Sequence, residues 1–395
     1  MTELKLEARQ DYVQGVLIAV TFALLLAGSN LTSPLMPLYR NALHLTPLLM
    51  TITFVTYVAP LVLGLLVLTR PALIRWAPIL LCAALVTCAG ADLCLSSVSR
   101  LGIFAGRALT GIGGALGTGS ASALVVAALG ARGRAISATG NLIGAVFGTG
   151  LSQLCVSLIG NHAMRLTPSA HALICLLMLI PVVAVLLLRR ADNTQMLHVR
   201  SNPVPMSQVF AHLARHKLPV GVGCLSWATL SLTVVWVPTY FHVMRMPLVQ
   251  SCGLIIFLIA SAGGQLASPA LTRLVPGFSG MVLIAAGVLA TFGASEIHWP
   301  GLAILGLCAL GVGAGVSYRL ALVVLTRGTR PVVQGSLASL YSAITYGFAA
   351  ASVLISGFVG NAMGLVGAVI LVFCLCAVSA LALARPAPRL RQTLN

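Results

Sequence analysis

Arg107 and Arg319 each stand well inside a long apolar run. A guanidinium in hydrocarbon costs at least about 2.5–3.5 kcal/mol on insertion scales, so such a residue faces a cavity, a partner or backbone carbonyls. Arginine stays protonated, so either residue could hold an anion or a carbonyl oxygen, but neither could carry a proton. Snorkelling to the nearer membrane face is the structural alternative for both. Tyr318 precedes Arg319 and could hydrogen-bond or stack on a ligand, with core packing as its commoner fate. Asn30 and Asn141 are amides in apolar runs that either bond helices together or touch a solute. Trp227 lies deep in its run and is a candidate cavity residue. Trp236, nine positions on, falls near the run's end, where interfacial aromatic residues gather.

Proton chemistry has few candidates. The six acidic residues are Glu3, Glu7, Asp11, Asp92, Asp192 and Glu296, and of these Asp92 alone lies in or near an apolar run. All eight His read as loop or span-end residues. Any coupling proton carried by a side-chain carboxylate is therefore expected at Asp92, for which a hydrated position at the membrane edge is the alternative. The ten Cys show no C-x-x-C and no metal-ligand spacing, so neither a metal nor another cofactor is expected. Nucleophile–base sets and phosphate loops are missing as well, and no catalytic residue is assigned.

The elements that must position these side chains follow from composition. Of 395 residues 59% are hydrophobic and 7% charged, with a mean hydropathy of +1.03. Soluble domains carry roughly 25% charged residues, so a water-facing globule is excluded. The net charge of +17 is spread over short loops rather than one face, which argues against a nucleic-acid partner. Cutting at Pro, Gly, Arg and His clusters gives twelve apolar segments: 14–38, 47–69, 76–97, 101–129, 134–159, 168–188, 218–240, 249–272, 279–296, 301–325, 335–358 and 363–384. The fold class is an all-α polytopic membrane protein, twelve transmembrane helices in two pseudo-symmetric six-helix bundles. The expected domains are 1–190, a cytoplasmic linker 191–217, and 218–395. Pro203 and Pro205 break the linker, and M-S-Q-V-F-A-H-L-A-R within it suits a short amphipathic helix.

Glycines supply both an internal echo and a packing motif. G-I-G-G-A from Gly111 is answered by G-V-G-A-G from Gly311, two hundred positions later. Gly140, Gly144 and Gly148 recur every fourth residue and make one smooth helix stripe, to which another backbone can come close. Gly111 and Gly113 are assigned the same packing role.

With these motifs the chain resembles the major facilitator superfamily of secondary transporters over essentially its whole length. L-G-I-F-A-G-R-A-L-T-G-I-G-G-A matches the family's fourth-helix pattern, an Arg followed four residues later by Gly; here these are Arg107 and Gly111. A-R-G-R-A-I-S-A-T-G-N is similar to the link that follows. The loop G-L-L-V-L-T-R-P-A-L-I-R-W keeps Gly64, Arg70 and Arg75 but lacks the family's Asp, which puts its charge-relay latch in doubt. The glycine-rich fifth span resembles that of proton-linked exporters, although Gly148 is followed by Thr149 where they have Pro.

The resemblance implies alternating access, with the substrate between spans 1, 4, 7 and 10. The expected function is export of a small organic compound, drug or metabolite, across the inner membrane by a monomer whose partners are the lipid bilayer and a coupling proton. The alternatives are an organic-anion carrier using Arg107 and Arg319, and a non-transporting scaffold or sensor. Basic residues divide seventeen to four between the two sets of loops, which places both termini in the cytoplasm. Reporter fusions near Arg200 should therefore report cytoplasm, and those near His162 the opposite side. Both reporting the same side would break the six-plus-six topology.

Overall fold

The structure is a computed structural model that describes residues 2–68, 73, 75–188, 206–329 and 331–389. Its described side chains are those of 11–67, 73, 75–129, 143–188, 207–271, 274–329, 334 and 337–389. The described elements are helical: α1 (Thr2–Leu43), α2 (Pro47–Leu68), α3 (Ala77–Ser96), α4 (Arg100–Ile159), a 3-10 turn (Gly160–His162), α5 (Ala163–Leu188), α6 (Met206–Arg215), α7 (Lys217–Val243), α8 (Pro247–Leu274), α9 (Gly280–Glu296), α10 (Pro300–Thr326), α11 (Pro331–Met363) and α12 (Leu365–Leu383). Among the described residues, ten segments are long and apolar enough to cross a bilayer. One of these, Ile143–Leu188, is broken at Gly160, whose φ of +54° suits a residue without Cβ. Gly280–Glu296 is apolar but, at 17 residues, falls just short. Counting that break and that short helix recovers the twelve expected spans.

Contacts divide the chain into two compact units, residues 1–35 with 56–203 and residues 36–55 with 204–395. In the first, α4 is one hydrogen-bonded run of 60 residues, where the sequence suggested a turn near 131–134. No Pro interrupts 130–142, and glycine alone weakens a helix without ending it. The run nevertheless reverses. From Arg107 through Gly117 to Leu129, its partners on α1 descend from Thr32 and Ser29 through Leu25 to Gly15. From Gly144 through Gly148 to Ser152 they ascend from Ala23 through Ala27 to Leu31. Spans 4 and 5 therefore lie along the same stretch of α1 in opposite directions.

The second unit repeats the helix contacts of the first with the 200-residue offset seen in the sequence. A Cβ on Gly111 would strike the Tyr57 carbonyl, and one on Gly311 the Phe257 carbonyl. On Gly113 it would lie 3.4 Å from the Ala84 carbonyl oxygen, and on Gly313 2.8 Å from the Ile284 nitrogen. Helix ends also recur along the chain at an offset of about 200, whether or not the two members fall in different units. Pro47 and Pro247 occupy first helical positions, where a missing N–H is harmless. Val98 and His298 take φ near +50° at matching turns, as do His44 and Arg245.

The linker residues 191–205 lie outside the described residues. Within the linker α6 forms, burying Val209 and Leu213, and His212 Nε2 donates to the Leu325 carbonyl at 2.9 Å. Trp236 corrects the expectation of an interfacial belt residue. It is fully buried and donates its indole N–H to Ser356 Oγ at 2.8 Å, a satisfied core position.

A Cβ added at Gly148 would lie 2.7 Å from the Ala27 Cα, a backbone atom that cannot swing aside. Gly148→Ala should lower unfolding stability in detergent by about 1–3 kcal/mol. Gly150→Ala, which meets nothing within 4 Å, should be neutral or stabilising by up to about 1 kcal/mol. Equal melting temperatures for the two variants would contradict this contact.

Candidate functional site

In the first unit Arg107 is buried among its own chain's acceptors. Its Nη1 donates to the Ser29 carbonyl at 3.1 Å and reaches Thr32 Oγ1 at 3.4 Å. Its guanidinium carbon stands 4.3 Å from the centre of the Tyr57 ring, a cation–π stack in a desolvated place. Ser29 and Thr32 share a face of α1, so one helix turn and one ring hold the charge. Asn30, half-buried beside them, donates its amide to the Leu26 carbonyl of its own helix at 2.9 Å. Asn141 and Gly140 fall in 130–142, so their surroundings lie outside the described residues. Gly144 and Gly148 lie against Ala23, Leu26 and Ala27 of α1.

Asp92 and His171 depart most from the sequence reading. Asp92 is 3% exposed, and its Oδ2 lies 2.6 Å from His171 Nδ1. It is a buried, paired carboxylate and not a hydrated one at the membrane edge. His171 is not at a span end. Its helix begins at Ala163, five residues before the Pro168 taken as the start of the sixth span, which puts the ring two turns inside. The other ring nitrogen, Nε2, is 3.1 Å from the Leu24 carbonyl of α1. Gly28, one turn along α1, lies against the ring so closely that a Cβ there would overlap it. Cys175, one turn along α5, sits 3.8 and 3.9 Å from the two ring nitrogens. Asp92, His171 and Cys175 thus bring an oxygen, a nitrogen and a sulfur within 4.8 Å of one another. Both ring nitrogens, however, point at oxygens, and a thiol equidistant from them lies along neither lone pair. Such geometry suits the holding of a proton rather than of an ion.

In the second unit the side chains gather around an aromatic group. Trp227 of α7 lies 4.9 Å from Tyr318 of α10 and 4.7 Å from Tyr346 of α11, ring centre to ring centre. Tyr341 lies 5.2 Å from Tyr318 and donates its hydroxyl to the Tyr318 carbonyl at 3.2 Å. A side chain at Gly223 would collide with the Tyr341 hydroxyl, so a glycine there makes room for the ring. Trp227, Tyr318 and Tyr346 are all half-buried, leaving ring surface for a ligand. Arg319, next in sequence and also half-buried, donates through Nη1 to the Gln265 carbonyl of α8. Thus the structure joins Trp227 to Tyr318, adds Tyr341 and Tyr346, and sets Arg319 on a backbone carbonyl.

Three side chains were missed in the sequence: His171, Tyr57 and Ser152. His171 was masked by Pro168, which reads as a helix start but lies inside α5, five residues past Ala163. Nothing in the spacing links Tyr57 to Arg107 or Ser152 to the Leu31 carbonyl, because those pairings depend on how the helices lie together.

A family model described as Major Facilitator Superfamily matches residues 18–353. No curated protein matches the sequence. Among solved structures, a mutant of the nucleoside transporter NupG is similar with a TM-score of 0.74 at 13% identity, over 97% of this chain and 100% of that one. A bacterial homologue of the human lysosomal transporter Spinster, inward-facing and unoccupied, gives 0.70 at 10% identity, over 95% and 96%. A D-xylose-proton symporter gives 0.63 at 14% identity, over 96% and 99%.

Proposed function

Because the chain belongs to the Major Facilitator Superfamily, we propose that this secondary transporter exports a small amphipathic organic compound bearing a planar ring. The single observation that carries the choice of substrate is the Trp227–Tyr318–Tyr346 group, three partly buried rings in which the two tyrosine centres lie 4.9 and 4.7 Å from that of Trp227. Offset ring stacking of this kind contributes about 0.5–1.5 kcal/mol per pair beyond burial. A planar ligand stacked there would gain the same attraction. NupG is a nucleoside transporter, and nucleosides also carry a planar base, but at 13% identity the likeness covers the fold alone.

The organic-anion reading is the weaker one. Arg107 is buried on Ser29, Thr32 and Tyr57, so its charge is already committed to the protein's own groups. In the proposal Arg107 and Asn30 shape α1, and Asn141 belongs to the translocation path. The protein works as a monomer in the inner membrane, with both termini cytoplasmic, and export is driven by a proton gradient. The resemblance of the glycine-rich fifth span to that of exporters supports the direction.

Binding raises the melting temperature of a folded protein by mass action. In a thermal-shift screen of the purified chain against metabolites and drugs, planar-ring compounds should be the stabilisers. Trp227→Ala should remove the shift while leaving the unliganded melting temperature within a few degrees. Stabilisation only by ringless anions, or shifts that survive Trp227→Ala, would overturn the proposal.

A further inference from the structure

We propose that Asp92 and His171 together form a proton-binding site whose occupancy is transmitted to α1. A backbone carbonyl can only accept, so His171 Nε2, 3.1 Å from the Leu24 oxygen, must carry a hydrogen. That contact fixes the tautomer. A second proton lies between Nδ1 and Asp92 Oδ2, 2.6 Å apart, and the pair is then neutral overall, either as carboxylate with imidazolium or as carboxylic acid with imidazole. Removing this proton would set a carboxylate against the Nδ1 lone pair. Adding another, to Asp92, gives a carboxylic acid beside an imidazolium with a net charge of +1. A buried site holds the neutral form best, because an uncompensated charge out of water is costly. Protons are therefore loaded or released when the surrounding helices admit water, and that condition ties the site to movement.

The helix that must yield is α1. It gives the Leu24 carbonyl to His171 and lays Gly28 against the ring. One turn further on, its Ser29 carbonyl and Thr32 hydroxyl hold Arg107. Other titratable side chains facing the pair are Cys88, one turn before Asp92 on α3, and Cys175 on α5. The contributions of α1 are the Leu24 carbonyl and Gly28, neither of which ionises. Thr167, one turn before His171 on the same face of α5, is buried, and its hydroxyl has no hydrogen-bond partner among the described residues. That hydroxyl is an uncommitted donor and acceptor on the face that carries the pair.

Comparison with the second unit separates this role from a structural one. Two hundred positions on, Phe292 of α9 stands in the place of Asp92 and packs on Phe373 of α12, ring centres 4.6 Å apart. An apolar contact therefore closes the corresponding helix pair there, and the fold does not demand the polar one. The use of the proton in transport rests on the proposed function; the binding of the proton does not.

The test is isotope-edited infrared spectroscopy of the full chain in nanodiscs between about pH 5 and about pH 8, the range in which an imidazole changes charge. The chain has three aspartates, Asp11, Asp92 and Asp192, so labelled aspartate gives few bands. Wild type should show a pH-dependent carboxyl band that is lost in Asp92→Asn and whose midpoint moves at least tenfold in proton affinity in His171→Gln. Hydrogen exchange over Leu24–Thr32, corrected for intrinsic rates, should quicken in acid in wild type and not in Asp92→Asn. If a single variant does not fold, Asp92→Leu/His171→Phe, which replaces the pair with an apolar contact, supplies the protonless comparison. A band that survives Asp92→Asn, a midpoint unmoved by His171→Gln, or exchange in α1 indifferent to pH would each overturn the proposal. Intact titration in a chain that moves no solute would instead refute the proposed function and leave the proton site standing.

Discussion

Three backbone carbonyls of α1 accept hydrogen bonds from three other spans, and the first unit is organised around them. Leu24 receives the His171 imidazole, Ser29 the Arg107 guanidinium and Leu31 the Ser152 hydroxyl. In hydrocarbon a donor left without an acceptor costs several kcal/mol, so polar side chains can enter the membrane only where such acceptors wait. A helical carbonyl retains a second lone pair after its own i to i+4 bond, and α1 uses three of them. Glycine makes the approach feasible. Gly144 and Gly148 bring span 5 onto Ala23 and Ala27, and Gly28 gives the His171 ring its place.

The second unit has the same skeleton of glycine contacts but satisfies its polar groups differently. Alongside Arg319 on the Gln265 carbonyl, aromatic side chains donate there: Trp236 to Ser356, Tyr341 to the Tyr318 carbonyl, and Tyr240 paired with Ser295 at 2.7 Å. Where the first unit places Asp92 and His171, the second packs Phe292 against Phe373. The repeat therefore preserves backbone approach distances, which only glycine permits, while side-chain chemistry between the helices diverges. The first unit buries the Asp92–His171 pair and Arg107, and the second gathers aromatic rings beside a single half-buried Arg319.

Sequence periodicity made the spans legible because hydrocarbon thickness is a hard length constraint. The Gly111 and Gly311 echo was legible for a similar reason, since a residue without Cβ marks where two backbones meet. The joins were harder. The join at 130–142 carries no Pro, and the reversal between spans 4 and 5 shows only in the opposite order of their contacts along α1. Asp92 stands out in the sequence as the carboxylate in or near a span, but its burial and its partner were hidden, because pairing depends on the rotation of α5 against α3. Trp236 shows the same limit: its position near a span end suggested the interface, whereas Ser356 on a distant part of the chain draws its indole inward. Arg107 and Arg319 were recognisable as costly residues, and their acceptors, Ser29, Thr32 and the Gln265 carbonyl, were not.

The central claim is that the chain carries a ring-bearing solute across a bilayer, and solute counterflow tests it without assuming a coupling ion. Proteoliposomes of the full chain are preloaded with an unlabelled compound that stabilises it, then diluted into a trace of the labelled form. Label should accumulate transiently above equilibrium, and Trp227→Ala should abolish that accumulation. Entry no faster than into protein-free liposomes would contradict it.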